Sequence, residues 1–270
     1  MSSHRAALLS LLLGSCLGPA CAQPPPSAHQ PPRVDPLLVA PAESVTPRQV
    51  EELQRRLLDW PQLQRYAAAN VAEATEAADA ASTPEVVFFG DSITQDWGKV
   101  EGSVFFPGKP WRNRGISGQT TAQMLVRFRQ DVIALSPRVV VILAGTNDIA
   151  GNTGHASEQM IMDNLRSMSE LARAHDLRVV LASVLPADAY PWRPGVQPAQ
   201  QIRALNTAIR AYCEEAGLVY LDYHGALSNA GGGLDARDAY DGVHPTAAGY
   251  ARMAPLAEAA VRMALDQPRR

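Results

Sequence analysis

Short uninterrupted apolar runs alternate with apolar positions at helical spacing through most of this chain. Val86-Val87-Phe88-Phe89, Val139-Val140-Val141-Ile142-Leu143 and Val179-Val180-Leu181-Ala182-Ser183-Val184 are runs of the first kind. Such runs mark strands buried on both faces. Arg112 to Ile116 and Leu218 to Leu221 are shorter strand candidates. Between them, Met124, Leu125, Phe128 and Val132 recur at helical spacing, as do Met160, Ile161, Leu165, Met168 and Leu171. Ile202, Leu205, Ile209, Tyr212 and Cys213 form a third helical face, and Tyr250, Met253, Leu256 and Ala260 a fourth. Alternating strands and helices predict an α/β fold, a three-layer α/β/α sandwich with a central five-stranded parallel sheet over residues 84–266. Ligands in such sheets bind beyond the carboxyl ends of the strands.

The chain ahead of this pattern has a different character. Arg5 precedes an apolar run from Ala6 to Leu13, and Ala20-Cys21-Ala22 offers a small-x-small cleavage site, so residues 1–22 read as a secretory signal peptide. The run is too short to span a bilayer. The predicted location is therefore exported, periplasmic or secreted. An alternative reading takes Leu13-Gly14-Ser15-Cys16 as a lipobox with a lipid anchor at Cys16. Residues 23–45 are Pro-rich and predict an extended linker. Residues 46–83 predict a helical extension packed on the main domain: Thr46 can cap, Pro47 suits a first turn, and Val50, Leu53, Leu57 and Trp60 recur at helical spacing. Trp60-Pro61 should break that helix, with an Ala-rich second one following.

Composition narrows the function classes. The 46% hydrophobic content supplies a buried core. A net charge of −3 with no Lys/Arg-rich run gives no polyanion-binding surface, which argues against a nucleic-acid partner. Cys16 and Cys21 lie in the leader, so after cleavage only Cys213 remains and no internal disulfide can form. Cys213 falls on an apolar helix face, as expected of an inert buried thiol.

Three separated blocks carry candidate chemistry: Gly90-Asp91-Ser92-Ile93-Thr94, Ala144-Gly145-Thr146-Asn147-Asp148 and Asp241-Gly242-Val243-His244-Pro245. A fourth, Asn113 to Gln119, lies between the first two. Ser92 follows a predicted strand and opens a helix, where it is either a cap or a nucleophile awaiting a base. Asp241 and His244, three residues apart in one turn, can supply that base, with the carboxylate holding one ring nitrogen while the other faces Ser92. The N–H groups of Ser92 and Gly118 and the Asn147 amide are natural donors to an oxyanion, and glycine at 118 permits close backbone approach. Asp222-Tyr223-His224 is a weaker decoy, with His224 surface or structural. Gly102 to Lys109 does not make a phosphate loop, because its glycines are wrongly spaced and Pro110 stands where Ser or Thr is needed. No metal-ligand cluster is read in the sequence, since the motif histidine, His244, lacks His or Cys partners at ligand spacing, and neither metal nor cofactor is expected.

Together the four blocks resemble the SGNH/GDSL hydrolase superfamily, and Asn113 to Thr121 is similar to the corresponding block of platelet-activating-factor acetylhydrolase-type members. The resemblance covers Glu85 to about Leu265 and implies a flavodoxin-like SGNH hydrolase fold. It implies Ser92 as nucleophile, Asp241 and His244 as the rest of a triad, and Ser92, Gly118 and Asn147 as the oxyanion hole. Ile93 departs from the Leu common in the family. The Gly-x-Ser-x-Gly elbow of α/β-hydrolases is absent. The expected activity is a serine esterase hydrolysing short-chain acyl esters, acetyl foremost, on a small molecule or an acylated carbohydrate. A lysophospholipase- or thioesterase-type lipid hydrolase and an inactive carbohydrate-binding module are the alternatives. Asp91, Trp97, Phe106 and Trp192 are the candidate pocket residues, the three aromatics because they lie outside the periodic segments, as do Phe105, Trp111 and Tyr190.

Overall fold

The computed structural model describes residues 44–76 and 84–268. The predicted signal peptide, Cys16, all but the last two residues of the predicted linker and residues 77–83 of the extension lie outside the described residues. In chain order the helices are α1 (Pro47–Leu58), α2 (Ala67–Glu76), α3 (Ser92–Gln95), α4 (Thr121–Asp131), α5 (Thr146–Ile149), α6 (Glu158–Ala174), α7 (Ala199–Ala216), α8 (Tyr223–Leu227) and α9 (Ala247–Asp266). The strands are β1 (Val86–Gly90), β2 (Trp111–Gly115), β3 (Val139–Leu143), β4 (Arg178–Ala182) and β5 (Val219–Leu221). All pair in parallel, in the order β2-β1-β3-β4-β5.

Residues of β1 and β3 are buried throughout, as continuous apolar runs require. Side chains alternate between two cores. Val87, Phe89, Val140 and Ile142 join Met124, Phe128, Ile161, Leu165, Ile202 and Ile209 on one face of the sheet. Val86, Phe88, Val139 and Val141 join Tyr250, Met253, Ala257 and Val261 on the other. The three layers predicted from the alternation are therefore present. Strand order reverses direction of growth at β1, leaving a crevice between the carboxyl ends of β1 and β3. The loops that leave those two ends carry Ser92 and Asn147.

The extension packs on the main domain beside β2 and α4. The Tyr66 hydroxyl donates to the Gly115 carbonyl at 2.5 Å. The amides of Gln119, Gln123 and Gln130 donate to the carbonyls of Pro61, Trp60 and Leu63, each at 2.7 Å. Arg114 reaches back to Asn70 and Glu73. As the sequence predicts, Thr46 caps α1 with a capping box and the helix ends before Pro61. No helix among the described residues is long and apolar enough to cross a membrane.

Candidate active site

Asp91, not Ser92, caps the single turn of α3: its Oδ1 accepts from the Ile93 N–H at 3.0 Å. The serine side chain is thereby left to another partner. Ser92 Oγ lies 2.9 Å from His244 Nε2 across 152 residues of sequence. His244 Nδ1 lies 2.7 Å from Asp241 Oδ2. Asp241 Oδ1 also accepts from the backbone N–H groups of Val243 and His244, at 3.0 and 2.8 Å. These bonds lock the turn that presents the imidazole. Burial alone would raise the Asp241 carboxyl. The His244 backbone N–H, its ring and the Val243 N–H together outweigh that and hold it below the usual carboxylate range. A carboxylate so held keeps a proton on Nδ1 and leaves Nε2 to accept from the serine hydroxyl.

The second and third blocks meet the first through a web of amides. Gly118 stands at φ +79°, where a side chain would strain the backbone, and its N–H has no acceptor within the described residues. The Ser92 N–H, at the first position of α3, likewise has none. Asn147 is buried, and both its amide hydrogens are engaged, with Asp91 Oδ2 at 3.2 Å and the Gln119 carbonyl at 3.0 Å. Asp91, 1% exposed, thus lies under the site rather than along its surface. Burial in the first place, and Asp148 nearby, push its carboxyl from an ordinary 3.8 to about 7.

Sequence reasoning missed several contributors. Asn152, in the turn after α5, donates to Asn147 Oδ1 at 2.8 Å and to the Gly118 carbonyl at 3.1 Å. Asp148 accepts from both the Thr121 N–H and hydroxyl, tying α5 to the start of α4. The adjacent Asn147 block was the available signal for Asp148; a lone Asn in a glycine-rich turn gave none for Asn152. Tyr240 stacks on the imidazole, centroids 5.7 Å apart at 13° between planes.

Of the aromatic pocket candidates, Trp192 is at the site, its ring 5.6 Å from that of His244. Tyr190 is buried and stacks beneath Trp192 at 5.1 Å. The structure does not bring Trp97 and Phe106 there. They are 4% and 5% exposed and fill the second core with Phe88, Phe105, Trp111 and Tyr250. The loop that carries them folds back over Phe88, so lying outside a periodic segment did not mean lying at the surface. His224 is half-buried in α8 and pairs with Ser228. Cys213 is buried, its thiol pushed up to about 12 by burial, which leaves no thiolate at neutral pH.

Residues 88–252 match the model of the GDSL-like lipase/acylhydrolase family. Platelet-activating factor acetylhydrolase IB subunit alpha1 from Homo sapiens is 31% identical over 172 residues, 62% of this chain and 71% of the relative. A GDSL-like lipase from Bacteroides thetaiotaomicron VPI-5482 is 41% identical, with a TM-score of 0.70 over 76% of this chain and 98% of that one. An acetylxylan esterase from Geobacillus stearothermophilus shares the fold at 22% identity, with a TM-score of 0.53 over 65% of this chain and 93% of the other. The five-stranded sheet, the family match and these likenesses agree: the chain belongs to the GDSL-like lipase/acylhydrolase family and is a carboxylic ester hydrolase.

Proposed function

We propose that this protein is a serine esterase that removes short acyl groups, acetyl foremost, from an alcohol such as an acylated carbohydrate. Ser92 Oγ attacks the ester carbonyl carbon while its proton passes to His244 Nε2. Asp241 steadies the imidazolium. The tetrahedral intermediate collapses as the imidazolium gives that proton to the leaving alcohol oxygen. Water, deprotonated by His244, then attacks the acyl-enzyme carbonyl. As the second tetrahedral intermediate collapses, the bond to Ser92 Oγ breaks, the imidazolium returns its proton to that oxygen, and the acid leaves. The backbone N–H groups of Ser92 and Gly118 and the Asn147 amide receive the oxyanion. For Asn147 this requires exchanging one of its two present acceptors, and the longer bond, to Asp91, is the one to yield.

The observation that carries this reading is the unbroken line Asp241–His244–Ser92, with contacts of 2.7 and 2.9 Å. An acetyl group is supported by the human relative, whose name is that of an acetylhydrolase. A ringed alcohol is supported by Trp192 and Tyr240, exposed aromatics that both lie against the imidazole that would protonate the leaving oxygen.

Hydrolysis of p-nitrophenyl acetate by wild type and Ser92→Ala tests the first half. The variant should lose on the order of 10³-fold or more in kcat. Equal rates would remove the proposal. A series of esters from acetate to palmitate tests the acyl group: rates should fall with chain length, and a preference for C8 or longer would reject it in favour of a lipid hydrolase.

A further inference from the structure

A carboxamide is useful as an oxyanion donor only if its nitrogen end faces the substrate, and nothing in the shape of an asparagine distinguishes its two ends. In this protein the choice is made elsewhere. The Trp192 indole N–H can only donate, and it donates to Asn152 Oδ1 at 3.2 Å. That contact commits the Asn152 nitrogen to the opposite side, where it gives one hydrogen to the Gly118 carbonyl and the other to Asn147 Oδ1. With its oxygen so occupied, Asn147 must turn its nitrogen toward Asp91 and the Gln119 carbonyl. The backbone of the same turn adds a further tie, the Asn152 N–H donating to the Asn147 carbonyl at 3.0 Å.

We propose that Asn152 and Trp192 are positioning residues of the oxyanion hole: the indole N–H sets the polarity of Asn152, and Asn152 sets the polarity of Asn147 and holds the Gly118 loop beside it. Neither residue need touch the developing oxyanion. Trp192 is the origin of the relay because its single polar atom has one role. It also lies against His244, so one ring touches both halves of the machinery. The inference rests on the esterase reading of the site.

The roles separate by mutation. Asn152→Asp keeps size but replaces the donor with an acceptor facing Asn147 Oδ1 and the Gly118 carbonyl, so Asn147 should reverse. The expected result is a fall in kcat on p-nitrophenyl acetate of roughly 10²-fold, comparable to loss of one oxyanion donor. KM should stay within about twofold. Trp192→Phe keeps the ring and deletes only the N–H, so it should lower kcat by roughly three- to tenfold, again with little change in KM. The deciding measurement is a double-mutant cycle. In an Asn147→Ala background, Asn152→Asp should cost less than about threefold, because the end it orients is gone. The same factor in both backgrounds, or an unchanged kcat in the single variant, would overturn the proposal. Thermal melting of each variant identifies those that fail to fold, and for Asn152→Asp in that case the cycle is run with Trp192→Phe. An active Ser92→Ala enzyme would instead mean that the esterase reading itself had failed.

Discussion

Asp91 shows how much chemistry a single residue can hold under a site it never lines. Its two oxygens have separate duties, one capping α3 and the other holding the Asn147 amide. Asparagine at this position has one oxygen. If that oxygen keeps the cap, two donor ends oppose each other and push the Asn147 nitrogen from the place where it would meet the oxyanion, so Asp91→Asn should lower kcat by roughly 10- to 100-fold, part of what one such donor is worth. A second consequence concerns pH. The folded state holds the Asp91 proton up to about 7, whereas the free side chain releases it near 3.8. Between those values the folded protein binds more protons than the unfolded chain, so this residue's contribution to stability falls as pH rises, then levels off above 7. Urea unfolding of wild type and Asp91→Asn from pH 4 to pH 8 should show their stability difference shifting against wild type by a few kcal/mol, about 1.4 per pH unit at most. A difference independent of pH would refute it. The sequence made Ser92, His244 and Asp241 legible as a group that meets in the fold because hydroxyl, imidazole and carboxylate differ in type. It concealed Asn152 and Tyr240, whose roles depend only on what they face across the fold.

At the scale of elements, helix α4 does more than cover the sheet. Arg127, fully buried, donates to the Gly90 carbonyl at the end of β1 and to the Arg114 carbonyl near the end of β2, at 3.0 and 2.9 Å. The same guanidinium holds Gln119 Oε1 and Asp131 and lies over the Phe89 ring. One side chain thus pins the two strand ends from which the Ser92 and Gly118 loops depart. Burial lowers its pKa to about 10, so it remains charged at neutral pH. Arg127→Leu would leave the buried Asp131 carboxylate without its counter-charge and with only the Asn70 amide as a partner, and should cost about 3–5 kcal/mol in denaturant unfolding, with Arg127→Leu/Asp131→Leu recovering part of it. A cost below about 1 kcal/mol for the single variant would show the cluster to be incidental. The periodicity of α4 exposes its apolar face but not this arginine, since a charged residue in an amphipathic helix ordinarily points to water. Strand limits were legible to within a residue or two for a similar reason. The apolar run of β4 continues to Val184, yet the strand ends at Ala182, because both backbone polar groups of Val184 pair with the Asn206 side chain instead.

Across the whole molecule, the extension and the site are joined through the second block. Pro61 receives the Gln119 amide, whose own backbone carbonyl receives Asn147, so one residue separates the extension from the proposed oxyanion donor. Tyr66 meets Gly115, where a Cβ would lie 2.2 Å from the Gln95 nitrogen and the backbone has no room to shift. Asn70 and Glu73 take the Arg114 guanidinium from the same side. A chain that begins after Glu76 therefore loses the partners of Gln119, Gln123, Gln130 and Arg114 together. At about 1 kcal/mol for each such hydrogen bond, and 2–4 °C per kcal/mol for a domain of this size, its melting temperature should drop by roughly 10 °C or more. Its kcat should fall several-fold, more than KM rises, because the Gln119 and Gly118 backbone loses its brace while the proposed triad keeps every bond of its own. Calorimetry and ester hydrolysis on the shortened and full chains would test both. An unchanged melting point with unchanged kcat would reduce the extension to a passenger, whereas a loss confined to KM would make it part of the substrate surface rather than a brace for the catalytic loops.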